Sequence, residues 1–113
     1  MNVLIVDDAV ETRGVIRMCV EDAVGHCETV WEAGDGFEAL SMARRMNPDV
    51  VIMDKFLPAL DGIEASRLIS EYVPTSRVIV FTAHLEVDDV ARAGAVAAFG
   101  KDNLEAMLEY LAS

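Results

Sequence analysis

The sequence has little of what disulfide-linked, thiolate-metal or nucleic-acid-binding proteins require. It contains only two cysteines, Cys19 and Cys27, which stand eight positions apart, form no Cys-x-x-Cys motif and belong to no set with metal-ligand spacing. We therefore expect reduced cysteines that serve packing. Nine lysines and arginines stand against 20 aspartates and glutamates, a net charge of −11. Because nucleic-acid backbones are bound by clustered cations, we expect no direct nucleic-acid binding.

Long apolar runs are missing as well. No stretch approaches the roughly 18 apolar residues of a membrane span, so we expect no membrane partner. The N-terminus enters an apolar run at Val3 without the basic segment or cleavage site of a signal peptide, and we expect a cytoplasmic protein. Hydrophobic residues make up 53% and charged residues 26%, a balance typical of a compact domain. The length then predicts a single domain over residues 1–113.

Apolar runs of strand length alternate with segments of helical periodicity along the whole chain. The runs are VLIV at 3–6, TVWEA at 29–33, VVIM at 50–53, VIVF at 78–81 and AAF at 97–99. The helical segments are 12–23, 36–46, 62–72, 87–93 and 103–112. Nearly continuous apolar strands that alternate with helices predict a doubly wound α/β fold, a five-stranded parallel sheet with helices on both faces.

Acidic residues recur three positions apart at the predicted helix starts. The pairs are Asp8 and Glu11, Asp35 and Glu38, Asp61 and Glu64, and Asp102 and Glu105. This spacing resembles a capping box, in which the first carboxylate accepts a hydrogen bond from a free amide of the first turn. We predict this capping role for Asp35, Asp61 and Asp102. For Asp8 capping is one of two interpretations.

The second interpretation of Asp8 comes from the residues at the strand ends. In open parallel sheets ligands bind beyond the carboxyl ends of the strands, and the residues found there are Asp7, Asp8, Asp54, Thr82 and Lys101. Two carboxylates about 5 Å apart repel by roughly 3 kcal/mol at an effective dielectric near 20, so an acidic cluster requires a cation, protonation or separation. Oxygen ligands alone favour a hard cation such as Mg²⁺. An aspartate beside Mg²⁺, a lysine and a hydroxyl is suited to accept a phosphoryl group.

The chain resembles the receiver domain of response regulators, the phosphoacceptor part of bacterial two-component signalling, from Val3 to about Leu111. The motifs that carry the resemblance are LIVDDA at 4–9, VVIMD at 50–54, LPALDG at 57–62, VIVFTA at 78–83 and GKD at 100–102. The resemblance implies a flavodoxin-like sheet of strand order 2-1-3-4-5. It also implies that Asp54 takes a phosphoryl group from a sensor histidine kinase or a phosphotransfer protein.

The same resemblance implies roles for the other residues at the strand ends. Mg²⁺ would be held by Asp8 and Asp54 directly, by Asp7 through water and by the backbone carbonyl of Phe56. Lys101 would pair with the phosphoryl group and Thr82 would move toward it. The only chemistry expected is Mg²⁺-dependent phosphotransfer and autodephosphorylation, not enzymatic turnover of another substrate. A homodimer could form through the fourth helix, fifth strand and fifth helix, or through the first and fifth helices.

The sequence departs from the family pattern at three positions. Ala98 stands where an aromatic residue usually relays the state of the threonine, and strand alternation predicts that Phe99 points to the other face. Asp102 follows the lysine, where many members have proline. Lys55 follows the acceptor, where an apolar residue is common; we expect its side chain to leave the site on the opposite side from Asp54 and to add positive charge near the rim.

Phe56 and His84 occupy positions that flank the route of water to the acyl phosphate in this family. We expect both residues to influence the lifetime of the phosphorylated form.

A phosphatase and a docking module are the alternatives to a phosphoacceptor. A Mg²⁺-dependent phosphatase of the haloacid dehalogenase type needs a second aspartate two residues after the nucleophile, and Phe56 stands there. A receiver-like docking module that is never phosphorylated is the remaining alternative. The full set of strand-end residues favours the phosphoacceptor.

Overall fold

A computed structural model describes residues 1–113 and shows five strands alternating with five helices. The strands are β1 Asn2–Val6, β2 Thr29–Ala33, β3 Val50–Met53, β4 Arg77–Thr82 and β5 Ala97–Gly100. The helices are α1 Val10–Ala23, α2 Gly36–Met46, α3 Gly62–Tyr72, α4 Asp89–Ala93 and α5 Leu104–Ala112, with a 3₁₀ turn at Lys101–Asn103. Every predicted element is confirmed to within two residues at each end. The longest helix has 14 residues, and none has the length and hydropathy needed to cross a bilayer.

The five strands form one parallel sheet of order β2-β1-β3-β4-β5, as the resemblance implied. Val6, the last residue of β1, lies in register with Met53, the last residue of β3. On the other side of β3, β4 ends at Thr82 opposite Gly100 of β5. The register therefore brings the residues that follow β1, β3 and β5 to one edge of the sheet.

Two apolar clusters lie on opposite faces of the sheet. Along β1, Val3 and Ile5 belong to the cluster under α1 and α5, and Leu4 and Val6 belong to the cluster under α2 and α3. All four side chains are almost fully buried, and burial of each contributes about 1.5–3 kcal/mol. This doubly packed strand gives the residues that follow it a rigid support.

The fifth strand shows the predicted alternation. Phe99 packs against the cluster under α1 and α5, with its ring 5.7 Å from the ring of Tyr110. Ala98 therefore faces the other side of the sheet, toward α3 and α4. No peptide bond is cis, so the bond between Lys101 and Asp102 is trans. Both cysteines are free, as expected.

Two of the three predicted aspartate caps are confirmed. Asp35 accepts a hydrogen bond from the Glu38 amide at 2.8 Å, and Asp61 accepts one from the Glu64 amide at 3.1 Å. The prediction for Asp102 is wrong, because this residue lies inside the 3₁₀ turn and α5 begins after Asn103 without a side-chain cap. The α1 N-cap is Ala9, so the Asp8 carboxylate does not cap that helix.

Removal of the capping Asp35 and removal of the non-capping Asp102 should affect stability differently. Asp35→Ala removes a capping hydrogen bond and should lower the free energy of unfolding by about 1 kcal/mol. Asp102→Ala removes a side chain that makes no hydrogen bond and should change it by less than about 0.5 kcal/mol. Urea unfolding of both variants measures the difference. Equal losses would contradict the assignment of the caps.

Candidate functional site

Three aspartates converge at the carboxyl edge of the sheet. One oxygen from each of Asp7, Asp8 and Asp54 lies within 4.8 Å of the other two. Asp7 and Asp54 are almost fully buried and Asp8 is exposed. The two neighbours in sequence reach one site because the chain leaves β1 at Asp7, where the Asp7 carboxylate accepts a hydrogen bond from the Ala9 amide at 3.0 Å.

Lys101 completes this acidic cluster with a positive charge. Its ammonium donates to Asp7 Oδ2 at 2.5 Å and to Asp54 Oδ2 at 3.1 Å. Burial lowers the pKa of Lys101, but the hydrogen bonds and charges of Asp7 and Asp54 outweigh burial and raise the pKa above its ordinary value. The lysine is therefore charged at neutral pH and offsets part of the repulsion among the three carboxylates.

Two oxygen atoms of the segment that follows β3 have no hydrogen-bond donor. Asp54 Oδ1 is buried without a partner, although Oδ2 of the same carboxylate is bound by Lys101. The Phe56 carbonyl accepts no hydrogen bond from the chain. A buried carboxylate oxygen without a donor is costly, and a hard cation would satisfy it. The donor set therefore fits Mg²⁺, which prefers carboxylate, carbonyl and water oxygens.

Thr82 ends β4, the strand next to β3, and His84 follows two positions later. The Thr82 hydroxyl is buried, and its oxygen accepts a hydrogen bond from the His84 amide at 3.3 Å. It makes no hydrogen bond to Asp54 or Lys101. The His84 ring meets the ring of Phe56 edge to face, with centroids 5.7 Å apart. Phe56 is largely exposed, so this ring pair lies at the surface.

The expectation that Lys55 adds positive charge near the rim is wrong. Its side chain is buried, and the ammonium contacts Glu86 at 2.9 Å and Asp89 at 3.0 Å. Burial lowers the pKa of Lys55, but its hydrogen bonds to the two carboxylates outweigh burial and raise the pKa. Lys55 therefore stays charged, and its charge is paired with the carboxylates of Glu86 and Asp89.

Two supporting residues were not found from the sequence. Asp89 holds the Lys55 ammonium from a position 34 residues away, and no local pattern links the two. Arg13 donates to the Asp7 carbonyl at 2.7 Å and to Glu32 at 3.0 Å, and so fixes the main chain at the acidic cluster. The one available signal was that Arg13 lies on the helix that directly follows the acidic pair.

Comparison with known proteins agrees with this geometry. The family model described as response regulator receiver domain matches residues 3–109. A protein-glutamate methylesterase/protein-glutamine glutaminase of Hahella chejuensis is 42% identical over 93 residues, which cover 82% of this chain and 26% of that protein. The response regulator UvrY of Escherichia coli is 38% identical over 86 residues, 76% of this chain and 39% of that protein. The chain thus spans between about a quarter and two fifths of the length of these relatives.

Solved structures show the same architecture over almost all of the chain. The response regulator domain of Thermotoga maritima CheB aligns with a TM-score of 0.79 at 30% identity and covers 98% of this chain and 90% of that chain. A two-component response regulator of the LuxR family from Aurantimonas aligns with a TM-score of 0.81 at 32% identity, covering 96% and 85%. With the family match, the shared sheet and the acidic edge, the chain belongs to the response regulator receiver domains.

Proposed function

We propose that this receiver domain, residues 1–113, accepts a phosphoryl group on Asp54 in a Mg²⁺-dependent reaction. The donor would be a sensor histidine kinase or a phosphotransfer protein. The observation that carries the proposal is the asymmetry of the Asp54 carboxylate, in which Lys101 binds Oδ2 and Oδ1 has no partner. One oxygen is thus placed beside a cation that can stabilise an incoming phosphoryl group, and the other is left for a metal.

The proposed roles follow from the atoms at the edge of the sheet. Mg²⁺ would be held by Asp7, Asp8, Asp54 and the Phe56 carbonyl, and when bound it would neutralise charge on the phosphoryl oxygens. The bond between Asp54 Oδ2 and phosphorus forms as the bond from phosphorus to the donor nitrogen breaks, and that nitrogen keeps the electron pair. Lys101 then pairs with one phosphoryl oxygen, and Thr82, at the end of the neighbouring strand β4, donates a hydrogen bond from its hydroxyl to another.

Modification of Asp54 would change how the domain binds a partner. An acyl phosphate carries roughly −1.5 to −2 charges and three acceptor oxygens, which can draw in Thr82 and reposition the adjoining loops. The phosphotransfer and the later hydrolysis would be the only chemistry of the domain. The methylesterase relatives are much longer than this chain, and their activity is not carried over.

The test is phosphorylation by a small acyl-phosphate donor with intact-mass detection. With Mg²⁺ the wild-type protein should gain the mass of one phosphoryl group, and it should gain none when a chelator removes the ion. The matched control, Asp54→Asn, keeps the shape of the side chain and should stay unmodified. A phosphoryl group on that variant would exclude Asp54 as the acceptor. An unmodified wild-type protein would favour the docking module instead.

Lys101→Met separates metal binding from phosphoryl transfer. The variant keeps most of the length of the unbranched side chain but removes the charge that contacts Asp7 and Asp54. Three carboxylates without a counter-charge should bind Mg²⁺ about tenfold more tightly, a change of about 1.4 kcal/mol. Acyl-phosphate transfer should fall in the same variant, because the phosphoryl oxygens lose their cation. Calorimetric Mg²⁺ titration measures the first effect, and weaker Mg²⁺ binding would contradict the proposed arrangement.

Three further assignments remain proposals. A homodimer could use α4, β5 and α5, where Val90 and Tyr110 expose apolar surface next to Val87 in the loop before α4, or α1 and α5. We infer a cytoplasmic location with no membrane or nucleic-acid partner of this domain.

The contact between Phe56 and His84 supports a joint influence of these two residues on the lifetime of the acyl phosphate.

A further inference from the structure

A buried ion pair connects the residue after the acceptor to the fourth helix. The Lys55 ammonium contacts both carboxylate oxygens of Asp89, at 3.2 and 3.0 Å. The Lys55 side chain is 5% exposed and that of Asp89 is not exposed at all. Charge-assisted contacts of this kind depend strongly on geometry in a low-dielectric interior. The two side chains are therefore expected to move as one unit.

The lysine end of the pair is fixed to the acceptor. Lys55 directly follows Asp54, and its carbonyl accepts a hydrogen bond from the Gly62 amide at 2.7 Å. Gly62 in turn lies against the Asp54 carbonyl. A displacement of the main chain at Asp54 must therefore displace Lys55.

The aspartate end of the pair holds α4. Asp89 is the first residue of this five-residue helix, and its second oxygen also accepts a hydrogen bond from the Glu86 amide at 2.8 Å. Only Asp89 and Ala93 are buried within α4, so little apolar burial attaches the helix to the sheet. The ion pair is thus a major attachment of the start of α4.

We infer that the Lys55–Asp89 ion pair transmits the state of Asp54 to α4. The inference rests on the proposed phosphorylation of Asp54 and adds a route for its effect. On the side of β5 that faces α4 the side chain is only the methyl group of Ala98, and the one aromatic ring of this strand, Phe99, packs on the opposite face. Lys55 and Asp89 act as positioning residues and do not touch the phosphoryl group.

The test uses amide hydrogen exchange of residues 86–94 with and without Mg²⁺ and beryllofluoride, a mimic of the acyl phosphate. The wild-type protein should show a change in exchange rate of this segment of at least threefold. In the neutral double variant Lys55→Met, Asp89→Asn, beryllofluoride should bind within threefold of the wild-type affinity. Its binding should no longer change the amide exchange rate of residues 86–94. The methyl NMR shifts of Val90 provide a second readout that does not depend on how fast the amides exchange.

Two control variants isolate the ion pair from general damage. Glu86→Gln alters the exposed partner of Lys55 and should keep the full response. Lys55→Arg keeps a cation that can donate to Asp89 and should also keep it. A normal response in the neutral double variant, or a lost response in Lys55→Arg, would overturn the inference while the phosphorylation proposal stands. A wild-type protein that binds no beryllofluoride and accepts no phosphoryl group would remove both.

Discussion

Lys55→Met is expected to lower the free energy of unfolding by about 3–5 kcal/mol, because it leaves the fully buried Asp89 carboxylate without its cation. After the substitution the remaining donor to Asp89 is the Glu86 amide. One amide hydrogen bond does not offset the loss of hydration of a carboxylate. A domain of this size has about 5–15 kcal/mol of stability in total, so the loss is a large fraction. Urea unfolding with tryptophan fluorescence of Trp31 would measure it.

Two variants separate the buried partner from the exposed one. Glu86 is 61% exposed in its side chain, so Glu86→Gln should cost less than about 1 kcal/mol. Adding Asp89→Asn to Lys55→Met should recover more than about 1 kcal/mol, since the neutral amide no longer buries an unpaired charge. If Lys55→Met costs no more than Glu86→Gln, the buried pair does not stabilise the fold.

Alkaline pH provides an independent check on the same pair. The pKa of Lys55 is raised in the folded protein, so its contribution is fully present below the unfolded-state pKa of about 10.4. It is lost as the pH rises through the higher folded-state pKa. The difference in stability between the wild-type protein and Lys55→Met should therefore narrow above about pH 10.4.

The fold could be predicted from the sequence because its strands are buried on both faces. Runs such as VLIV at 3–6 and VVIM at 50–53 are apolar at every position, as expected where helices cover both sides of a parallel sheet. The error at Asp102 has a local cause. The spacing between Asp102 and Glu105 suits a cap, but the chain first makes a 3₁₀ turn at Lys101–Asn103. The helix α5 therefore begins only at Leu104.

The acidic edge could also be predicted, since parallel strands place the residues after their carboxyl ends together. Asp7 and Asp54 follow register partners, and Lys101 lies directly after β5. The Lys55–Asp89 pair could not be predicted in this way. The partner of Lys55 depends on how the loop before α4 folds back, which strand alternation does not predict. That contact is a property of the packed structure.

Gly62→Ala is expected to cost about 3 kcal/mol of stability and to slow phosphoryl transfer to Asp54 by about 100-fold. A Cβ atom on residue 62 would lie 1.7 Å from the Asp54 carbonyl oxygen and 2.8 Å from the Lys55 Cα. Both neighbours are main-chain atoms, so no flexible side chain can move aside. The loop that carries Phe56 must shift, and this shift would move Asp54, the proposed acceptor, away from Asp8 and Lys101. Unfolding and acyl-phosphate transfer kinetics measure the two effects.

Gly14→Ala is the matched control and should raise the free energy of unfolding, where Gly62→Ala lowers it. Gly14 lies inside α1, and a Cβ atom there would meet nothing within 4 Å. Alanine in a helix interior is favoured over glycine by about 0.5–1 kcal/mol, so this variant should be more stable than the wild type and transfer phosphate normally. Because both variants add the same methyl group, the contrast isolates the contact between Gly62 and the Asp54 main chain. A Gly62→Ala protein with wild-type stability and transfer rate would mean that the loop after β3 is free to move, and that Gly62 does not position Asp54.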